Sequence, residues 1–260
     1  MNIILLSLLA GVAGMGFGAL ITALFGSRSE RMTSIFLSFA GGVMVSIVFL
    51  ELLPESAELA GVPIMVTGLI LGAILVLALN SLIDKISSSN GKSKLHDTFA
   101  EFFHSGDVIT RKTSMLHSGM IMLVAIALHN VPEGLAMGAA GNYDASLGIT
   151  LAILIGLHNI PEGMAVTAPL IAGGMSKTKS VIITLIAGAT TVVGTIAGVI
   201  LGGVSEIAVA FSFSIAGGAM LYVVLGEIIP QSIVTGKDRI PTIFTLVGII
   251  IGVLFIQLAH

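Results

Sequence analysis

Leu128-His129-Asn130-Val131-Pro132-Glu133-Gly134 returns 29 positions later as Leu157-His158-Asn159-Ile160-Pro161-Glu162-Gly163. In each copy four residues separate His from Glu, so a helix would place imidazole and carboxylate on one face. Pro132 cannot donate to the carbonyl of Leu128, nor Pro161 to that of Leu157. Each helix is therefore expected to kink beside these side chains and to turn a freed carbonyl toward a cavity. Both copies lie in the middle of long apolar runs. A carboxylate there costs a few kcal/mol unless it is paired or faces water, which makes it a functional candidate.

The rest of the chain agrees with a membrane setting. Of 260 residues, 55% are hydrophobic and 10% charged, with a mean hydropathy of +1.09. Lys and Arg number 11 against 14 Asp and Glu, which leaves no basic surplus for a nucleic acid. The absence of cysteine removes disulfides, thiolate metal sites and Cys nucleophiles together.

Apolar stretches of membrane-spanning length fall at Ile3–Phe25, Thr33–Leu53, Val62–Ile83, His117–Ala140, Ser146–Ala172, Val181–Val204, Ile207–Ile233 and Ile240–Ala259. The first is long and lacks a basic lead, so it reads as a retained helix rather than a signal peptide. All the basic residues fall in alternate loops: Arg28 and Arg31; Lys85, Lys92, Lys94, Arg111 and Lys112; Lys177 and Lys179; Lys237 and Arg239. The positive-inside rule puts these loops in the cytoplasm and both termini outside. The expectation is an all-α integral membrane protein forming one transmembrane domain over 1–260. Its long 84–112 loop, containing His96 and His104, should be flexible, cytoplasmic and solvated.

A second repeat frames the first. Ala40–Ser56 reads AGGVMVSIVFLELLPES and Ala216–Ser232 reads AGGAMLYVVLGEIIPQS, with 8 of 17 positions identical at an offset of 176. Gly14 and Gly18 are echoed by Gly194 and Gly198, and Gly68 and Gly72 by Gly248 and Gly252; such small-xxx-small pairs let helix backbones approach closely. An odd number of crossings separates the copies, so both repeats are inverted in the membrane. Eight helices in a 3+2+3 arrangement follow, with helices 1–3 and 6–8 as inverted repeats around a central 4/5 pair. Secondary transporters are built this way, with substrate held near the midplane. The glycine-rich faces are expected to let helix groups slide.

Two imidazoles (His129, His158), two carboxylates (Glu133, Glu162) and two amide oxygens (Asn130, Asn159) form a borderline nitrogen and oxygen set. It suits Zn²⁺, Fe²⁺, Mn²⁺ or Co²⁺ and is too nitrogen-rich for Mg²⁺ or Ca²⁺. A divalent cation would also relieve repulsion between the carboxylates. Glu51 and Glu227 hold matched places in the longer repeat, each with Pro three residues on. The derived orientation sets Glu51 near the outer mouth and Glu227 near the inner one, as pathway ligands or as solvated interface carboxylates. Met44 and Met220 are also matched, and packing or metal contact would each explain them. Glu55 and Glu58 would draw cations to the outer face or simply solvate a helix end.

HNVPEGLAMG at His129–Gly138 and HNIPEGMAV at His158–Val166, set in eight spans with a loop after the third, closely resemble the ZIP (ZRT/IRT-like) metal-ion transporters. The resemblance covers nearly the whole chain. It implies uptake of divalent transition metal, chiefly zinc, toward the cytoplasm, often by a homodimer. It further implies one metal on His129, Glu133, His158 and Glu162, with Met44 where some members supply a Met. Asn130 and Asn159 would help bind a second ion. The family often carries Glu-Pro in the sixth helix, whereas Gly188–Gly194 here places Thr191 at the Glu position. A hydroxyl brings no negative charge, so one firmly held metal is expected.

An iron- or manganese-preferring carrier of the same architecture fits the same residues, and Cd²⁺ would be tolerated. An intramembrane metallohydrolase would ordinarily use H-E-x-x-H or a third fixed His, and the chain has neither arrangement. Non-enzymatic transport, with no catalytic cofactor, is the expectation.

Overall fold

The computed structural model describes residues 2–25, 30–88, 108–143, 145–200, 205–236 and 238–259. Among them the chain forms eight helical rods and no strand. These are α1 (Ile3–Phe25), α2 (Glu30–Ala60), α3 (Val62–Ser88), α4 (Val108–Tyr143), α5 (Ala145–Ala172), α6 (Lys177–Ile200), α7 (Glu206–Gly236) and α8 (Ile240–Ala259). All but α3 contain a stretch long and apolar enough to cross a membrane; seven do so, while α3 is a shorter apolar helix over Val62–Ala78. His96 and His104 lie outside the described residues.

The distribution of polarity is that of a protein dissolved in lipid. Large apolar side chains cover the outside, with Leu24, Phe25 and Ile200 among the most exposed, while Ser, Thr, Asn, His and Glu lie inside. In a bilayer such an exterior costs nothing, and the buried polar groups must find partners within the bundle. Lipid exerts no hydrophobic push between helices, so close packing must hold the bundle together.

Glycine supplies that closeness. A Cβ on Gly18 of α1 would run into the carbonyl of Ile160 on α5, and one on Gly194 of α6 into that of Val131 on α4. Helices α1 and α6 therefore lie tight against the central pair, on backbone segments that belong to the two repeated motifs. Likewise α8 packs on α2 and α3 on α7, and Gly42 meets the carbonyl of Thr245. The bundle thus divides into a group of α1, α4, α5 and α6 and a group of α2, α3, α7 and α8, which touch along α2/α5 and α4/α7. The glycine faces show the close packing expected of small-xxx-small pairs. They clamp helices within each group, because a carbonyl fills the space a side chain would need, and the seams between groups run elsewhere.

Hydrogen bonds show the longer repeat in space. Ser34 Oγ of α2 donates to the carbonyl of Ser232 on α7 at 2.8 Å, and Ser56 Oγ donates to that of Ala210 at 2.7 Å. Residues 34 and 210, and 56 and 232, are repeat partners, so each serine reaches the partner of the other. Antiparallel copies facing each other across a two-fold produce this exchange.

The spans expected to stop at Leu53 and Ile233 run on to Ala60 and Gly236. Pro54 and Pro230 do not end the helices because the preceding turns widen into π-helix at Val48–Leu52 and Val224–Ile228. There the N–H of Leu53 donates to the carbonyl of Val48, and that of Ile229 to that of Val224. This five-residue spacing shifts the ladder before the proline, which has no N–H to give. A third π-turn, Leu9–Ala13, interrupts α1, and α6 breaks at Ala189. At the α5–α6 turn, Met175 N–H bonds the carbonyl of Leu170 and Gly174 N–H that of Ile171, a Schellman closure for which Gly174 takes φ +100.

Candidate metal centre

α4 and α5 pack side by side and remain α-helical through Pro132 and Pro161. Their repeated motifs meet at the same level. His129 Nε2 lies 2.9 Å from Glu162 Oε1, and His158 Nε2 lies 3.1 Å from Glu133 Oε1. Within each helix the separations are longer, 3.8 Å from His129 to Glu133 and 4.0 Å from His158 to Glu162. Each imidazole therefore leans toward the carboxylate of the other helix, and the four side chains close a ring. All four are buried, with exposures of 0 to 2%. Ligand atoms of His129, Glu133 and Glu162 lie within 4.8 Å of one another, a spread that a small rotation of each side chain would close around one cation.

The flanking amides are held from outside the pair. Asn159 Nδ2 donates to the carbonyl of Ala10 at 3.1 Å, in the π-turn of α1. Asn130 Nδ2 faces the carbonyl of Ala187, just before the break in α6, and the Met15 sulfur, each at 3.4 Å. The irregular turns of α1 and α6 thus hold carbonyls where the two asparagines need acceptors. With their N–H groups so engaged, Asn130 Oδ1 and Asn159 Oδ1 are buried without a hydrogen bond, as are Glu133 Oε2, Glu162 Oε2 and Thr191 Oγ1. A buried oxygen left unsatisfied costs about 1–3 kcal/mol. These oxygens are gathered around one motif pair, an arrangement compatible with a cation or water between them.

Glu51 and Glu227 sit inside the matched π-turns of α2 and α7, exposed by 7% and 3%. Both carboxylates are thus buried within the bundle. Met44 and Met220 are fully buried in the main core. Glu55 is half-buried and Glu58 exposed. The sequence reading missed the anchoring carbonyls of Ala10 and Ala187 and the contact to Met15. In the folded chain a Cβ on Gly11 or on Gly188 would strike the backbone of the other's helix, which brings α1 and α6 together at these turns.

Comparison with known proteins follows the same lines. A family model described as ZIP zinc transporter matches residues 89–259. The chain is 31% identical over 245 residues to a protein named zinc transporter ZupT from Chlorobaculum parvum, covering 90% of this chain and 89% of the relative. It is 29% identical over 265 residues to a protein of that name from Streptococcus mutans, with 98% and 95% covered. A third such protein, from Corynebacterium efficiens, is 32% identical over 252 residues, with 94% and 91% covered.

Proposed function

Because this chain belongs to the ZIP zinc transporter family, we propose that it carries divalent transition-metal ions, zinc first among them, into the cytoplasm. It is an integral membrane protein, and in this reading all eight rods cross the bilayer in the 3+2+3 order. Both termini then face outward and the segment between α3 and α4 faces the cytoplasm, as the basic loops require; the 84–112 loop expected from the sequence is shorter, since 84–88 and 108–112 are helical. The 1–260 chain acts as one transporter domain, and a homodimer is its assembly.

The ring of His129, Glu133, His158 and Glu162 carries the proposal. A Zn²⁺ ion seated there would neutralise two buried carboxylates and accept two imidazoles. Met44 would lie on the approach, Asn130 and Asn159 would complete the shell, and Thr191, being neutral, would leave one firm site. Ions would enter past Glu51 and leave past Glu227 as the two helix groups move along the α2/α5 and α4/α7 seams. The ring works by holding a cation that has shed water, and no step calls for catalysis or a resident cofactor.

Metal uptake into proteoliposomes tests this, with Zn²⁺, Fe²⁺, Mn²⁺, Co²⁺ and Cd²⁺ offered at two pH values. The parent should accumulate Zn²⁺, and Glu133→Ala and Glu162→Ala should not. Normal transport by both variants would overturn the site assignment.

A further inference from the structure

The longer repeat contains a mismatch that the central ring does not use. Glu51, Pro54, Glu55 and Ser56 align with Glu227, Pro230, Gln231 and Ser232, so a neutral amide on α7 stands where α2 has its second acid. The two positions also differ in setting. Glu55 is half-buried, whereas Gln231 is 2% exposed. Gln231 Nε2 faces the Met115 sulfur of α4 at 3.4 Å and donates to Thr235 Oγ1 at 3.1 Å, while Ser118 Oγ of α4 donates to Gln231 Oε1 at 3.3 Å. Met115 and Ser118 are themselves buried. A thioether, an amide and two hydroxyls thus meet one turn beyond Glu227, on the α4/α7 seam between the helix groups.

We propose that Met115, Ser118, Gln231 and Thr235 form a neutral station that takes a soft divalent cation as it leaves past Glu227. The proposal rests on the transport reading above and adds a second binding place to it. Ser118 precedes His129 on α4 by 11 residues, about 17 Å along the helix axis, so the station is separate from the ring. Rotation of the Gln231 amide exchanges its oxygen and nitrogen, which lets the oxygen face the same point as the Met115 sulfur. Charge count sets how tightly oxygen ligands hold a cation. Four neutral donors therefore hold it briefly, whereas an acid at 231 would retain it. The thioether favours soft ions such as Zn²⁺ and Cd²⁺ over Mn²⁺. The repeat thus has two acids where ions would enter, and one acid with an amide where they would depart.

Initial uptake of Zn²⁺, Cd²⁺ and Mn²⁺ should be measured in proteoliposomes holding the full-length parent, Met115→Leu, Gln231→Glu or Glu133→Ala. Met115→Leu conserves volume and so tests the sulfur rather than the packing. It should lower the Cd²⁺ to Mn²⁺ rate ratio by about five-fold. Gln231→Glu should lower the maximal Zn²⁺ rate by about ten-fold with KM falling in step, so that the rate at low Zn²⁺ is unchanged, since release and not entry is slowed. An unaltered Cd²⁺ to Mn²⁺ ratio in Met115→Leu would overturn the station whatever Gln231→Glu does. A parent that moves no metal would remove the transport reading and the station with it, whereas a Glu133→Ala variant that moves it normally would overturn the ring assignment and leave the station to the Met115→Leu result.

Discussion

His129 on α4 lies 2.9 Å from Glu162 on α5, closer than its 3.8 Å to Glu133 on its own helix. The pairing crosses between helices, and His158 does the same toward Glu133 at 3.1 Å. A crossed arrangement makes each helix supply half of each contact. Removing any one member should therefore disable the ring as a unit. Glu162→Gln keeps size and an acceptor oxygen but loses the charge; zinc affinity should fall about 100-fold or more, since even outer-shell changes cost 10–100-fold. Isothermal titration of purified protein measures this, and affinity within a few-fold of the parent would contradict it.

Proton competition has a definite sign. Metal binds imidazole as the neutral base and carboxylate as the anion, so each bound proton opposes binding. The KM for Zn²⁺ should rise as pH falls from 7.5 toward 5.5, with the maximal rate less affected. Uptake assays at fixed free zinc across that range decide it, and a KM that falls toward acid pH would contradict it.

The asparagine anchors make a structural prediction. Asn159 Nδ2 donates to the Ala10 carbonyl, so Asn159→Asp would set an acceptor against an acceptor. Loss of the bond and the unsatisfied carbonyl should cost about 1–3 kcal/mol, visible as a lower melting temperature in detergent than that of the parent. Equal melting temperatures would show that the anchor does not hold α5 to α1.

Close backbone crossings should tolerate no methyl group. Gly18→Ala and Gly194→Ala would each place a carbon against a carbonyl of the neighbouring helix, and overpacking of this kind costs about 1–3 kcal/mol. Gly226→Ala would meet only the Tyr222 ring, at 3.7 Å, and should melt like the parent. Melting curves of the three variants check the contrast.

Much of this was legible in the sequence because lipid imposes simple rules. Hydropathy located the rods, and the doubled HNxPE motif located the ring. The turns around Glu51 and Glu227 were not legible as π-helix, since proline signals a break and not the manner in which the preceding ladder absorbs it. The partners of α1 and α6 were also hidden. A small-xxx-small pair says that a helix will approach something closely, and only the folded chain shows that Gly18 meets Ile160 and Gly194 meets Val131. The anchors on Asn130 and Asn159 come from carbonyls, which carry no sequence signature.

Zinc-edge anomalous diffraction from crystals of the zinc-loaded protein tests the central claim most directly. One strong peak is expected between α4 and α5, about 2.0–2.2 Å from nitrogen and oxygen atoms of His129, Glu133, His158 and Glu162, and absent from crystals of Glu133→Ala. A map with no peak among those four side chains, and zinc bound elsewhere along the helices, would contradict the account.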